Sequence, residues 1–354
     1  MSGNQQGDYP NDRQGKVQWT SPSNIALVKY WGKHGRQLPS NPSISLTLSK
    51  AFTETCVKYK YHDKGSNPQW HFTFEGKTKP DFEAKVLAYL RNISDVFPLA
   101  KSLDLEIDSR NTFPHSSGIA SSASSMSALA MCLVDIASQL HDTNTLDLQR
   151  ASLLARLGSG SASRSIYGPI AIWGDNDTVS EGSNDYAIPY SSGMDPIFNT
   201  YHDDILIISK SEKAVSSRAG HALMENNPYA LNRFEQAHRH LGEIISAMQK
   251  GDLEKFGDIV EREALTLHAL MMASQPPYML MEPNTLTAIK SIQQFRKETN
   301  LPVYFTLDAG PNIHLLYPDS VTDQVTELKI ELKEYCTGGT ILNDQVGSGP
   351  VKIS

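Results

Sequence analysis

The chain has only three cysteines in 354 residues, and Cys56, Cys132 and Cys336 are far apart, odd in number and outside any metal-ligand spacing. That argues against a disulfide framework and against a cysteine-held zinc, and a reducing compartment fits best. Basic residues are also in deficit. With 32 Lys+Arg against 39 Asp+Glu the formal net charge is -7, so no global field draws the protein to nucleic acid and a bound anion needs its own cluster of donors. No apolar run approaches the length of a bilayer span, and Met1 to Lys16 is polar with no apolar stretch of the secretory kind. The expectation is a cytoplasmic protein with no membrane partner and a disordered tail over residues 1–16. A Walker loop, a Gly-x-Gly-x-x-Gly fingerprint and internal repeats are missing as well.

What is present suffices for two domains of ordinary size, since 39% of the residues are apolar. Period-two alternation predicts strands over Phe52–His62, Trp70–Phe74 and Ser102–Ile107, and a buried strand over Ile166–Trp173. Helical spacing predicts helices over Pro80–Val96, Met126–Leu140 and Leu146–Leu157. The Ser-, Asn- and Gly-rich stretch Asn176–Asn199 reads as loops at a domain junction. Beyond it come a strand over Asp204–Ser209, helices over Pro228–Gln249, Leu253–Ser274 and Asn284–Lys297, strands over Pro302–Leu307 and Ile313–Tyr317, and a helix over Thr322–Tyr335. This mixture gives an α+β class, divided into a domain over 17–200 and a second over 201–354.

Four segments are too rich in small and polar residues, or too oddly charged, for plain core elements. In Phe113–Ser125 a Gly/Ser loop feeds the helix expected at Met126, so backbone N–H groups, hydroxyls and the helix dipole face an anion. A Ser-rich linker with a helix cap is the plainer alternative. In Gly158–Ser165, hydroxyls of Ser159, Ser161 and Ser163 flank Arg164, whose guanidinium can fork onto a carboxylate or phosphate; a solvated turn with an incidental Arg is the other reading. Asp308 precedes Gly310 and Pro311 at a strand end, which suits either a rigidly held catalytic carboxylate or a turn without chemistry. Lys29 and Lys33 bracket Tyr30, Trp31 and Gly32, so two ammonium groups can meet one polyanion, or else mark an exposed basic strand end.

Together these segments resemble the diphosphomevalonate decarboxylase family, within the larger group of galactokinase, homoserine kinase, mevalonate kinase and phosphomevalonate kinase relatives. The resemblance rests on Asn24-Ile-Ala-Leu-Val-Lys-Tyr-Trp-Gly-Lys33, Leu38–Leu48, the Phe113–Ser122 loop, Gly158–Ser165, Asp308-Ala-Gly-Pro-Asn312 and Gly347–Pro350, in the family's order. It departs in Ser163, where the family usually has Cys, in Ile119 for the usual Leu, and in a short loop after Lys33. The resemblance implies a two-domain small-molecule-kinase-like fold, with a ribosomal-protein-S5-like N-terminal domain, an α/β-plait-like C-terminal domain and the active site between them. It implies ATP with Mg2+, nucleotide contacts at Gly118, Ala120, Ser121, Ser122, Ser124 and Ser125, and no assigned metal ligand. Substrate contacts are implied at Tyr30, Trp31, Gly32, Lys33, Ser159, Gly160, Ser161, Ala162, Ser163, Ser217 and Arg218, with catalytic roles for Asp308, Lys29 and Arg164. The implied reaction is decarboxylation of mevalonate diphosphate through 3-phosphorylation, by a homodimer. A kinase or decarboxylase acting on mevalonate or its monophosphate, or an inactive ligand-binding relative, is the alternative.

Overall fold

Alternation predicts a strand from Phe52, yet Ser43–Tyr61 forms one strand of 19 residues. The protein is described here from a computed structural model, over residues 13–62, 67–113, 119, 121–143, 145–191, 193–211 and 217–354, with 217 and 218 described by backbone only. The chain begins with β1 (Gln14–Val28), β2 (Lys33–His34), β3 (Leu38–Pro39) and that long strand, β4. It continues through β5 (Trp70–Phe74), α1 (Pro80–Ile93), β6 (Leu103–Asn111), α2 (Ser121–Leu140), α3 (Leu148–Gly158), the 3-10 stretch Gly160–Ile166, β7 (Ile170–Trp173) and β8 (Ala187–Pro189). The second half runs β9 (Tyr201–Leu206), α4 (Ser217–Ala222), α5 (Ala230–Lys250), α6 (Leu253–Met272), α7 (Pro283–Thr299) and β10 (Tyr304–Thr306). It closes with β11 (Ile313–Pro318), α8 (Thr322–Leu332), β12 (Ile341–Gln345) and β13 (Val351–Lys352).

The architecture is a two-domain α+β fold. One sheet has the order β13-β1-β4-β6-β5, with β7 on the early part of β4 and β8 beyond it; the other is β10-β11-β9-β12. The disorder expected as far as Lys16 is not found over Gln14, Gly15 and Lys16, which pair with Lys60, Tyr59 and Lys58. The far end of the chain also departs from expectation. Instead of staying with the second sheet, Val351 and Lys352 pair with Thr20 and Trp19 of β1.

β1 and β4 each serve two cores. Their outer halves put Val17, Trp19, Val57 and Tyr59 against Leu129, Leu133 and Ile136 of α2. Their other halves put Ile25, Leu27, Ile44 and Leu46 into a cluster with Tyr201, Leu241, Ile244 and Phe256, so two strands of the first domain end in apolar packing with the second. Each such side chain, once buried, stabilises the fold by about 1.5–3 kcal/mol. The end of β1 is thereby fixed at the domain junction.

Helix α2 corrects two expectations. It starts at Ser121 rather than Met126, and the hydroxyls of Ser124 and Ser125 are turned back onto the Ser121 carbonyl at 3.2 and 2.8 Å, bonded within their own helix. It is also long and apolar enough to cross a membrane by length and composition, yet 78% of its span is buried inside the domain, as a core helix would be.

Candidate active site

A cleft of about 750 Å3 opens at the domain junction. Lys29 follows directly on β1 and is 1% exposed, and its Nζ donates to Asp308 Oδ1 at 3.1 Å across the junction. Burial lowers the lysine's pKa from its ordinary value, with the carboxylates of Asp308 and Glu263 opposing that drift. Asp308 sits at the corner after β10, where its carbonyl accepts from Gly310 N–H at 2.7 Å and lies 3.1 Å from His268 Nε2. Asn312 pins the same corner to the end of β9 through both of its amide atoms on Ser209.

Arg164 is the largest charged side chain among the fully buried ones. The 3-10 stretch turns it inward, where Nε donates to Asn24 Oδ1 at 3.3 Å and Nη1 to Ser43 Oγ at 2.8 Å. No carboxylate lies within ion-pair distance of it among the described residues. Burial lowers its pKa to about 10, which leaves it charged at neutral pH. A buried guanidinium bonded only to neutral oxygens is a place where an incoming anion gains charge-assisted hydrogen bonds.

The rest of the predicted set separates by position. Tyr30, Trp31, Lys33, Ser122, Ser159, Gly160 and Ser161 line the cleft with Lys29, Arg164 and Asp308. Ser122 and Ser159 hydroxyls lie 3.2 Å apart, which joins the start of α2 to the end of α3. Lys33 Nζ donates to Gln37 at 2.8 Å. The Tyr30 hydroxyl is buried without a partner among the described residues, and its pKa is raised by that burial. Gly160 allows this contact, since a Cβ there would stand 2.7 Å from the Tyr30 hydroxyl. Gly32 takes φ +100° and aims its N–H at His221 Nδ1, 3.0 Å away.

Other members face away from the cleft. Ser124 is fully buried, with its hydroxyl 2.7 Å from that of Thr53, so it packs α2 on β4; the small side chain permits that close approach. Ser163 is equally buried and donates to the Gly160 carbonyl at 2.9 Å, and Ala162 belongs to the apolar core. Ser125 is occupied by its own helix at Ser121. Gly118 and Ala120 lie outside the described residues, as do the side chains of Ser217 and Arg218 at the start of α4.

Sequence reasoning missed His221, Lys85 and Asn92. His221 lies 7% exposed with its ring against Tyr30 and Trp31 at 4.3 and 4.6 Å. Burial, with Lys33 and Arg164 nearby, drops its pKa to about 3. Lys85, Ala88, Tyr89 and Asn92 line the cleft from one face of α1, at the spacing of three and four residues that marks a helix face, a stripe readable beside the core stripe. Among the described residues no group of three His, Cys, Asp or Glu could hold a metal ion. The cleft thus gathers four cationic side chains, Lys29, Lys33, Lys85 and Arg164, around one carboxylate, on a protein of net charge -7.

Both halves of the chain are similar to known proteins. Residues 21–187 match the diphosphomevalonate decarboxylase-like N-terminal domain and residues 204–349 the mevalonate 5-diphosphate decarboxylase C-terminal domain. The diphosphomevalonate decarboxylase of Candida albicans is 30% identical over 95% of this chain and 97% of its own length. The mevalonate diphosphate decarboxylase of Staphylococcus aureus superposes with a TM-score of 0.82 at 30% identity, over 97% of this chain and 99% of that one. A structure of MDDEF in complex with MVAPP, AMPPCP and magnesium gives 0.81 at 28% identity, over 97% of this chain and all of the other. With both domain profiles matched in order and a 30% identical relative covered almost end to end, this chain belongs to the diphosphomevalonate decarboxylase family.

Proposed function

We propose that this chain catalyses the ATP-dependent decarboxylation of (R)-5-diphosphomevalonate to isopentenyl diphosphate, releasing ADP, phosphate and carbon dioxide. One observation carries the reading: Arg164, buried, charged and bonded only to neutral groups, opens on the same cleft as the Lys29–Asp308 pair. A kinase alone needs the second feature, whereas a decarboxylating enzyme needs both, because it must also hold a carboxylate.

Asp308 orients the substrate's 3-hydroxyl and takes its proton as the oxygen attacks the γ-phosphorus of ATP. Lys29 holds that carboxylate in place. The tertiary 3-phosphate then departs with its bonding electrons, the C–C pair to the carboxylate becomes the new double bond, and carbon dioxide leaves. Arg164 holds the carboxylate until that step. Tyr30, Lys33, Ser159 and Ser161 are assigned to the diphosphate, with Ser217 and Arg218 as further contacts, and the α2 N-terminus with Ser121 and Ser122 to the nucleotide phosphates. Magnesium would be held by oxygen donors of this cleft such as Ser122, Ser159 and Asp308, and would supply charge neutralisation there. The reading includes a cytoplasmic location, supported by three free cysteines, and a homodimer, supported by the family resemblance and testable by sedimentation.

The deciding experiment incubates the protein with ATP, Mg2+ and mevalonate diphosphate, mevalonate 5-phosphate or mevalonate in parallel. Equal release of ADP and phosphate, with isopentenyl diphosphate from the diphosphate alone, is the expected result. ADP without phosphate would make the chain a kinase, and no ADP from any of the three would overturn the reading.

A further inference from the structure

Lys29 follows a strand of the first domain, yet both of its main-chain polar groups are held by side chains of the second. Its N–H donates to Glu263 Oε2 at 2.8 Å, and its carbonyl accepts from Arg233 Nη2 at 2.9 Å as well as from Asn41 of its own domain. Arg233 and Glu263 form a two-pronged pair at 2.7 and 2.6 Å, and His240 Nδ1 lies 2.6 Å from Glu263 Oε1. Arg233, His240 and Glu263 are 2%, 1% and 0% exposed. Burial pushes the Glu263 pKa up, but Arg233 and His240 outweigh it and pull it to about 2, so the carboxylate stays charged.

Such a cluster is not needed for stability, because an apolar trio of similar volume commonly packs as well or better. Its geometry explains its presence. Glu263 lies on α6, and so does His268, whose Nε2 stands 3.1 Å from the Asp308 carbonyl. One helix therefore holds the main chain of both members of the Lys29–Asp308 pair, which belong to different domains.

We propose that Glu263, Arg233 and His240 are positioning residues: with His268 they make α6 the gauge that sets the Lys29–Asp308 separation. The proposal rests on the reading of Asp308 as the base. A displacement of the reacting groups by about 1 Å costs on the order of 10²-fold in rate, so a gauge of this kind acts on kcat rather than on substrate affinity.

The test uses Arg233→Lys, which keeps a cation against Glu263 but removes the planar fork that reaches the Lys29 carbonyl, alongside Glu263→Gln. For each folded variant, kcat is expected to fall about 10- to 100-fold while KM for both substrates stays within about threefold. Amide exchange at Lys29 should quicken by more than exchange at Leu27 does in the same variant, beyond what a general loss of stability accounts for. An unchanged kcat in a folded variant whose Lys29 amide exchanges faster overturns the proposal, as does a kcat loss matched by an equal rise in KM. If neither variant folds, exchange in the native protein decides: a Lys29 amide as slow as that of Leu27 supports the clamp, and one as fast as that of exposed Arg36 overturns it. If the native protein releases no ADP from any mevalonate, the functional reading fails, and the same exchange measurement still judges the clamp.

Discussion

The two walls of the cleft handle charge in opposite ways. On the first-domain wall the guanidinium of Arg164 bonds to neutral oxygens, those of Asn24 and Ser43. On the second-domain side the ions are committed to one another, Glu263 to Arg233 and His240, and Asp308 to Lys29 reaching over from the first. One side keeps its positive charge for a ligand, and the other spends its ion pairs on geometry. A chain of net negative charge can thus collect a polyanion locally while holding a single reactive carboxylate at a set place.

The largest expected effect breaks the comparison at its junction. Asp308→Asn keeps the size of the corner and removes the base, so kcat should fall about 10²- to 10⁴-fold, while calorimetry finds both substrates still bound. The second prediction sets one arginine against the other. Arg233→Met leaves Glu263 buried without its principal partner, and chemical denaturation should show a loss of about 3–5 kcal/mol. Arg164→Met removes a cation that no internal carboxylate needs, so stability should change by no more than about 1 kcal/mol, while kcat/KM for the carboxylate substrate falls about 10- to 100-fold. Equal stability losses from the two substitutions would erase the distinction between the walls.

A third prediction concerns acid. The Glu263 pKa is depressed from 4.5 to about 2, so its contribution is fully present above the unfolded value and is lost as pH falls through the folded one. The difference in stability between the native protein and Glu263→Gln should therefore shrink by about 3 kcal/mol between pH 5 and pH 2. A difference independent of pH would mean that the carboxylate is not held as an ion.

That Asp308, Lys29 and Arg164 would meet in one cleft was legible in the sequence, for a physical reason. Asp308, Lys29 and Arg164 lie in short runs where small residues and a charge interrupt apolar strands or helices, and such interruptions stand out against core periodicity. The serine run misled at Ser124 and Ser163 because a buried hydroxyl that packs two elements has the same letter as one that meets a phosphate; only burial separates them. Glu263, Arg233 and His240 were illegible for a different reason. His240 and Glu263 sit in the middle, and Arg233 in the first turn, of long amphipathic helices, where a charged residue ordinarily marks the solvent face, and their pairing depends on how α5 meets α6 and the end of β1. The long reach of β4 was missed by periodicity because Ser43, Ser45 and Thr47 are all buried, which hides the usual inside–outside alternation.

The smallest expected effect sharpens the claim that the first wall keeps its donors for the ligand. His221 accepts the Gly32 N–H at Nδ1, so the neutral ring carries its proton on Nε2. With a pKa near 3 the ring is neutral throughout the working range, a hydrogen-bond donor and not a cation. His221→Phe keeps a ring between Tyr30 and Trp31 and removes that donor, so KM for the diphosphate should rise several-fold, up to about tenfold, with kcat little changed. The pH dependence of kcat/KM between about 5 and 8 should be the same in both proteins, because a group already neutral there has no proton to lose. An ionisation near 6 that disappears in the variant would instead make His221 a charged member of the wall and place one more cation on the side that receives the anion.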